Sequence, residues 1–270
     1  MSENHTVGNK DLISSDEERI AAFLRERNLA KTNSLSAKVV PVDSFYTRYG
    51  KRFLDLLISI PVFIILLPFN IFFGICTFFD VGRPIFYKQT RIGKDGKPFT
   101  MVKFRNMNNN KDADGKLLPA RERITKFGHF MRRWSLDELL NFWPVLKGDM
   151  SIIGPRPLPA FFHERFSDRH RMRSAVKPGL ECPRVISVEG ELYQKQFEND
   201  VWYVENISFL TDLKMIFLLV KMVFSSKARP NASGSGSGSY FVGYDDDCRA
   251  IYKELALEKY GDLMRTEGNN

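Results

Sequence analysis

Residues 56–79 carry no formal charge and are rich in Leu, Ile and Phe, which passes the length test for a membrane helix. Arg48, Lys51 and Arg52 stand just before this run, and Pro61 and Pro68 interrupt it. Proline removes a backbone donor and clashes with the preceding turn. Residues 56–67 would cover about 18 Å as a helix, against a hydrocarbon core of about 30 Å. A break at Pro68 leaves the first arm short of the far side, with Asn70 just beyond it. A re-entrant hairpin entering and leaving by one face accounts for these features, and so does a kinked span. A buried core helix fits the length less well.

Elsewhere the pattern changes period. Residues 1–47 form a polar leader in which 16–29 (DEERIAAFLRERNL) fits either one amphipathic helix or a loosely ordered tail. Within 84–107, IFYKQ and FTMVKF alternate apolar and polar positions around the turn-rich IGKDGKP, which predicts a strand hairpin. Residues 108–115 read as a polar loop, 125–133 as a basic helix, and 147–157 as Gly- and Pro-rich loop. Residues 207–227 are apolar with Lys214 and Lys221 seven apart, a pattern shared by an interfacial helix and a core helix. SGSGSGS at 233–239 predicts a flexible linker, of native or engineered origin. Residues 245–265 predict one more helix, with Asp245, Asp246 and Asp247 at its positive end.

Composition narrows the class. Hydrophobic residues at 43% allow a substantial core, and 23 Phe raise the expectation of membrane contact. A formal charge of +8 and a pI near 9.3 suit an anionic partner: nucleic acid, anionic lipid or a phosphorylated substrate. Three scattered cysteines, Cys76, Cys182 and Cys248, argue against a disulfide framework and for a reducing compartment. The leader shows no apolar signal-peptide core.

The informative tetrapeptide is Ser135-Leu136-Asp137-Glu138. Its plain reading is a capping box, with Ser135 as N-cap and Glu138 reaching back. Asp137 would then sit in a first helical turn, where free N–H groups favour an anion such as phosphate. Arg132 and Arg133 lie just upstream and Arg156 lies in Gly154-Pro155-Arg156-Pro157; guanidinium binds phosphate bidentately. An Asp in such a place can form an aspartyl-phosphate, and Mg2+ needs only one or two protein carboxylates. His129, His163 and His170 have no metal-like spacing.

Those residues carry a resemblance. The stretch TKFGHFMRRWSLDELLNFWPVLKGDMSIIGPRP (125–157) resembles the bacterial sugar transferase family, the monotopic phosphoglycosyl transferases. KRFLD (51–55), PIFYKQTRIGKDGKPF (84–99), KFRNM (103–107), VKPG (176–179) and DVWYVEN (200–206) extend the likeness over about 51–227. The resemblance implies an α+β, mostly helical fold. It also implies a monotopic membrane protein with a re-entrant helix-break-helix hairpin and a cytoplasmic catalytic domain resting on interfacial amphipathic helices. The implied divisions are the 1–47 leader, the 48–80 hairpin, the 81–227 catalytic domain and a 228–270 linker with a helical extension. The implied reaction transfers a sugar-1-phosphate from a UDP-sugar to polyprenyl (undecaprenyl) phosphate, with release of UMP. Asp137 is the implied nucleophile and Glu138 the metal ligand or proton handler; both are candidate Mg2+ ligands. Arg132, Arg156, Lys103 and Arg105 are the candidate phosphate or substrate binders, and Lys51 and Arg52 the candidate lipid-headgroup anchors. The hairpin break falls on Leu67-Pro68, where the family has Ser-Pro. The implied place is the cytoplasmic face of a bacterial inner membrane, with membrane lipid as partner and no nucleic acid; a homodimer is a guess that the residues do not derive. After Pro178-Gly179 the chain reads Leu180-Glu181-Cys182-Pro183-Arg184, where the family often has a segment like TGLAQVNGR. That departure and the tail beyond 227 motivate one alternative, a non-catalytic membrane adaptor. Charge alone motivates another, a nucleic-acid binder, which leaves 56–79 unexplained.

Overall fold

Ile20, Ala21 and Leu24 share one side of the leader, and that side is buried in the computed structural model, which describes residues 15–224 and 240–267. Helix α1 (Ser15–Leu24) runs through a π turn (Arg25–Leu29) into α2 (Ala30–Leu35). Of the two readings of the leader, the helix is therefore the correct one. Its apolar side packs on Val242, Ile251, Ala256, Tyr260 and Met264, so the two ends of the chain bury each other.

A second π turn (Tyr46–Gly50) opens helix α3 (Lys51–Val81), which contains both prolines. The sequence predicts a break at Leu67-Pro68; the chain instead stays helical through both residues. Proline is tolerated inside apolar helices where local adjustment satisfies the freed backbone groups. The polarity of α3 is the reverse of a soluble helix. Asp55, Ser59, Asn70, Gly74 and Thr77 are its buried residues, whereas Leu57, Ile64, Phe69, Ile71, Phe72 and Phe79 are exposed. Only 11% of its most apolar window is covered by protein. An apolar surface of this length, bare of protein, marks α3 as the membrane-associated element.

Strands β1 (Phe86–Ile92) and β2 (Pro98–Phe104) pair antiparallel, Phe86 opposite Phe104 and Ile92 opposite Pro98, as the alternation predicts. Helices α4 (Ala120–Arg123) and α5 (Lys126–Arg133) follow; Thr125 caps α5 by accepting the Gly128 N–H at 2.8 Å. A 3-10 segment (Leu136–Asn141) leads into α6 (Phe142–Lys147). The predicted loop 147–157 contains β3 (Ser151–Ile153), which pairs in parallel with β4 (Gly179–Glu181) across the short helix α7 (Asp168–Arg171). Helices α8 (Leu192–Glu205) and α9 (Phe209–Phe224) complete the part that rests on α3. Helix α9 buries one side, as the core-helix reading of 207–227 expects, and exposes apolar residues on the other. Asp212 and Met215 are buried, and Leu210, Phe217 and Val220 are exposed.

The predicted helix over 245–265 is corrected at its start. β5 (Phe241–Tyr244) and β6 (Ala250–Tyr252) form a hairpin before α10 (Lys253–Glu267). Asp245 Oδ1 accepts the N–H groups of Asp247 and Arg249 at 3.1 and 2.9 Å, and Cys248 adopts φ 62°. The aspartates thus build a turn rather than a helix cap. Phe241 and Tyr244 enter a core with Phe162, Phe166 and Phe197, so the extension is packed into the domain beside it. The predicted linker at 233–239 lies outside the described residues.

Buried polar groups fix α3 to the rest. Asp212, fully buried on α9, accepts from the Tyr46 hydroxyl, from Tyr203 Oη at 2.7 Å and pairs with Lys51 Nζ at 2.9 Å. Asp55 Oδ1 accepts from Ser151 Oγ at 2.9 Å and the Ile152 N–H at 3.0 Å. Removing one partner of a buried ion pair leaves the other charge uncompensated. Lys51→Met is expected to lower stability by about 3 kcal/mol, measured by denaturant unfolding in detergent micelles; an unchanged midpoint contradicts the assignment.

Candidate active site

Ser135 does not cap the next helix. It lies in the left-handed region (φ 54°, ψ 30°), and its side chain makes no capping hydrogen bond. The residue instead terminates α5: the Ser135 N–H donates to Arg132 O at 3.2 Å, and the Glu138 N–H then reaches Ser135 O at 3.2 Å. A left-handed non-glycine residue costs about 1 kcal/mol or more. Here it turns the chain so that Asp137 and Glu138 project from a 3-10 turn between α5 and the β hairpin.

The two acids have different surroundings. Glu138 Oε1 pairs with Lys103 Nζ at 2.6 Å and with Arg156 Nη2 at 3.1 Å, and Arg156 Nη1 also meets Glu181 Oε2 at 3.4 Å. Burial by itself raises the Glu138 pKa, but Arg156 and Lys103 outweigh it and hold it at about 2. Asp137 is buried at 8% exposure and meets no cation directly; Asn106 Nδ2 donates to its Oδ2 at 3.1 Å. Burial raises the Asp137 pKa, and the neighbouring Glu138 charge adds to it against the pull of Lys103 and Arg132. The Asn106 amide oxygen is held in turn by Arg132 Nε at 3.1 Å and Nη2 at 2.9 Å. Close approach of α5 makes this relay possible: a Cβ on Gly128 would stand 2.2 Å from Asn106 O. Two adjacent carboxyls pushed in opposite directions are suited to different tasks.

The structure thus brings Asp137, Glu138, Lys103, Arg132 and Arg156 together. Arg105 lies elsewhere: it donates to Val81 O and, at 3.3 Å, to Gly82 O, closing the C-terminal end of α3. Lys51 is bound to Asp212, and Arg52 donates to Val145 O at 2.6 Å and Leu146 O at 2.7 Å. Leu67 and Pro68 sit mid-helix in α3. Three site residues escaped the sequence reading: Asn106, Glu181 and Arg91. Strand alternation could have found Arg91, because Tyr87, Gln89 and Arg91 share the hairpin face of Lys103, which stands opposite Tyr87.

The donor set suits a hard cation. Among the described residues no three His, Cys, Asp or Glu side chains gather around one point. Mg2+ does not require that, since it keeps several waters and takes one or two carboxylates plus substrate phosphates. Asp137 and Glu138 are such a pair.

Comparison with known proteins relates the chain to sugar transferases. The family profile described as bacterial sugar transferase matches residues 46–226. The uncharacterized sugar transferase EpsL of Bacillus subtilis (strain 168) is 44% identical over 148 residues, covering 54% of this chain and 73% of that protein. The UDP-glucose:undecaprenyl-phosphate glucose-1-phosphate transferase of Klebsiella pneumoniae is 34% identical over 190 residues, 66% of this chain and 41% of its own length. The undecaprenyl-phosphate galactose phosphotransferase of Salmonella typhimurium is 33% identical over 216 residues, 73% of this chain and 42% of its own length. The chain therefore spans less than half of the latter two relatives.

The opposed settings of the acids are testable without substrate. Replacing Lys103 and Arg156 together by Met is expected to raise the Glu138 pKa well above about 2, because burial is then opposed chiefly by the more distant Arg91 charge. Carbon-13 NMR titration of Glu side chains reads this, and a pKa that stays near its starting value would contradict it.

Proposed function

This chain belongs to the bacterial sugar transferase family, and on that footing we propose that it transfers a sugar-1-phosphate from a UDP-sugar to undecaprenyl phosphate. The observation that carries the reading is the Asp137-Glu138 pair in opposed electrostatic settings, ringed by Lys103, Arg132 and Arg156. A non-catalytic adaptor would have no use for such an arrangement.

In the proposed first step an Asp137 carboxylate oxygen attacks the sugar-bearing phosphorus. The bond from phosphorus to the UMP oxygen breaks, and its electron pair departs with UMP. An oxygen of undecaprenyl phosphate then attacks the same phosphorus and expels the Asp137 carboxylate, giving undecaprenyl diphosphate sugar. Burial leaves Asp137 poorly solvated and more basic than an ordinary aspartate, which favours attack once it is ionised. Asn106, braced by Arg132, orients it. Arg156 and Lys103 keep Glu138 charged and present positive charge to the diphosphate. Mg2+ held by Asp137 and Glu138 would offset charge on the diphosphate and stabilise the leaving oxygen.

We place this chemistry at the cytoplasmic face of a bacterial inner membrane, with α3 bent at Leu67-Pro68 so that it enters and leaves by that face. Both ends of α3 hold the same catalytic part, which supports the bend: Asp55 binds Ser151 and Ile152, and Asp80 Oδ2 accepts from Thr125 Oγ1 at 2.6 Å beside α5.

Asp137→Asn is expected to lower UMP release from an active UDP-sugar by about a thousandfold or more, assayed with undecaprenyl phosphate and Mg2+ across a UDP-sugar panel. Near-normal turnover in this variant would remove Asp137 from the chemistry. The rate should also fall toward acid pH with a midpoint above the ordinary aspartate value, since a raised pKa means protonation disables the nucleophile earlier as pH drops. For topology, Phe45→Cys and Ile85→Cys, each in a chain lacking its native cysteines, should label from the same side of sealed inverted vesicles; labelling from opposite sides would sink the bend.

A further inference from the structure

Arg91 makes no direct ion pair among the described residues, although the Glu138 charge reaches it. Its Nε and Nη2 donate to Gln89 Oε1 at 3.0 and 2.5 Å, and its Nη1 to Pro157 O at 3.4 Å, all neutral acceptors. Burial first, then the nearby Arg156 charge, push its pKa down to about 10. Two guanidinium groups near enough to repel, one of them directly bonded only to neutral acceptors among the described residues, form a place where a phosphate oxygen is favoured. The strand register sets this place beside the catalytic pair: Tyr87 and Arg91 project from the β hairpin face that presents Lys103 to Glu138.

The opposite wall comes from a part of the chain beyond the family-matched region 46–226. Tyr240, just before β5, is fixed edge-on against Phe161 and Phe162 at ring-centre distances of 5.5 and 6.0 Å. Those rings follow Pro159, which bridges Arg91 across the backbone. Burial raises the pKa of both the Tyr87 and Tyr240 phenols, the Arg91 charge pulls both down, and Tyr240 adds to the rise at Tyr87. Among the described residues neither phenol hydroxyl is hydrogen-bonded, although both rings are partly buried.

We propose that Tyr240, Tyr87 and Arg91 form the nucleoside end of the donor site, so that the C-terminal extension takes part in recognising a nucleoside diphosphate. This rests on the transfer reaction proposed above. The direction follows from in-line displacement, in which the leaving group lies opposite the attacking oxygen. Away from Asp137, Glu138 pairs with Arg156, the carbonyl of the next residue Pro157 accepts from Arg91, and Arg91 bridges Pro159, just after which Phe161 and Phe162 pack on Tyr240. Arg91 takes the phosphate next to the ribose, and the aromatic rings take the planar base.

The test uses the full chain in detergent or nanodiscs, with equilibrium UMP binding and steady-state kinetics on the active UDP-sugar. Tyr240→Ala is expected to weaken UMP binding and raise KM about tenfold, with kcat changed less than about twofold, the size of one lost stacking contact. Tyr240→Phe keeps the packing on Phe161 and Phe162 and should lose no more than about threefold, the share of one hydroxyl. Arg91→Gln should raise KM by about tenfold or more, as expected for a lost charged hydrogen bond. If wild-type chain turns over but Tyr240→Ala binds UMP normally, the inference falls while the proposed reaction stands. The same holds if the variant loses the UDP-sugar but not UMP, which would put the sugar at Tyr240. Failure of wild type to bind UMP overturns the inference, and UMP binding without turnover of any UDP-sugar counts against the reaction alone.

Discussion

Helix α3 meets its surroundings with the wrong polarity for water, and the rest of the structure depends on that. Its apolar side chains face outward along its length, while Asp55, Ser59, Asn70 and Thr77 face the protein. An apolar surface of that size is stable only in lipid, and buried polar groups are stable only when bonded. A membrane surface meets the first condition; the second is met at Asp55 and Ser59, which are hydrogen-bonded, whereas the Asn70 and Thr77 side chains have no hydrogen-bond partner among the described residues. Asp55 reaches β3, Asp80 reaches the cap of α5, and Arg105 closes the last carbonyls of the helix. The elements carrying Asp137 are therefore tied to the element that sets their distance from the bilayer.

That anchoring gives the electrostatics of the site its meaning. In the proposed reaction the acceptor phosphate is lipid-borne and stays near the interface, so Asp137 has to be held near it. Asp137 is kept away from direct cation contact by Asn106, whereas Glu138 receives Lys103 and Arg156 at close range. One carboxyl is thereby made basic and the other is held ionised. The left-handed turn at Ser135 places two neighbours in sequence into these different environments. The divergent segment and the extension add to this core: Glu181 contacts Arg156 at 3.4 Å, and Tyr240 packs on Phe161 and Phe162 just after the bridge between Arg91 and Pro159.

Local signals were legible in the sequence. The apolar run of α3, the alternating strands of the β hairpin, the basic helix after Thr125 and the Asp137-Glu138 pair could all be read from spacing and residue type. Features set by distant partners could not. Ser135-x-x-Glu138 fits a capping box, but termination of α5 claims Ser135 for a left-handed position. Asp245, Asp246 and Asp247 fit a helix start, but pairing of Phe241–Tyr244 with Ala250–Tyr252 makes them a turn. The leader and the extension look like separate tails because Leu24 and Val242 are far apart in sequence, and only the folded chain shows them in one core. Arg91 was hidden by the same limit, although its place on the hairpin face of Lys103 was available.

The central claim is that Asp137 itself carries the phosphosugar between donor and acceptor. Its most direct test is mass spectrometry of the chain after incubation with Mg2+ and its UDP-sugar in the absence of undecaprenyl phosphate. The account predicts a mass increase equal to one sugar phosphate, mapped to the peptide containing Asp137 and discharged when undecaprenyl phosphate is added. An adduct mapped to another residue, or multiple turnover with no adduct under rapid acid quench, would contradict it.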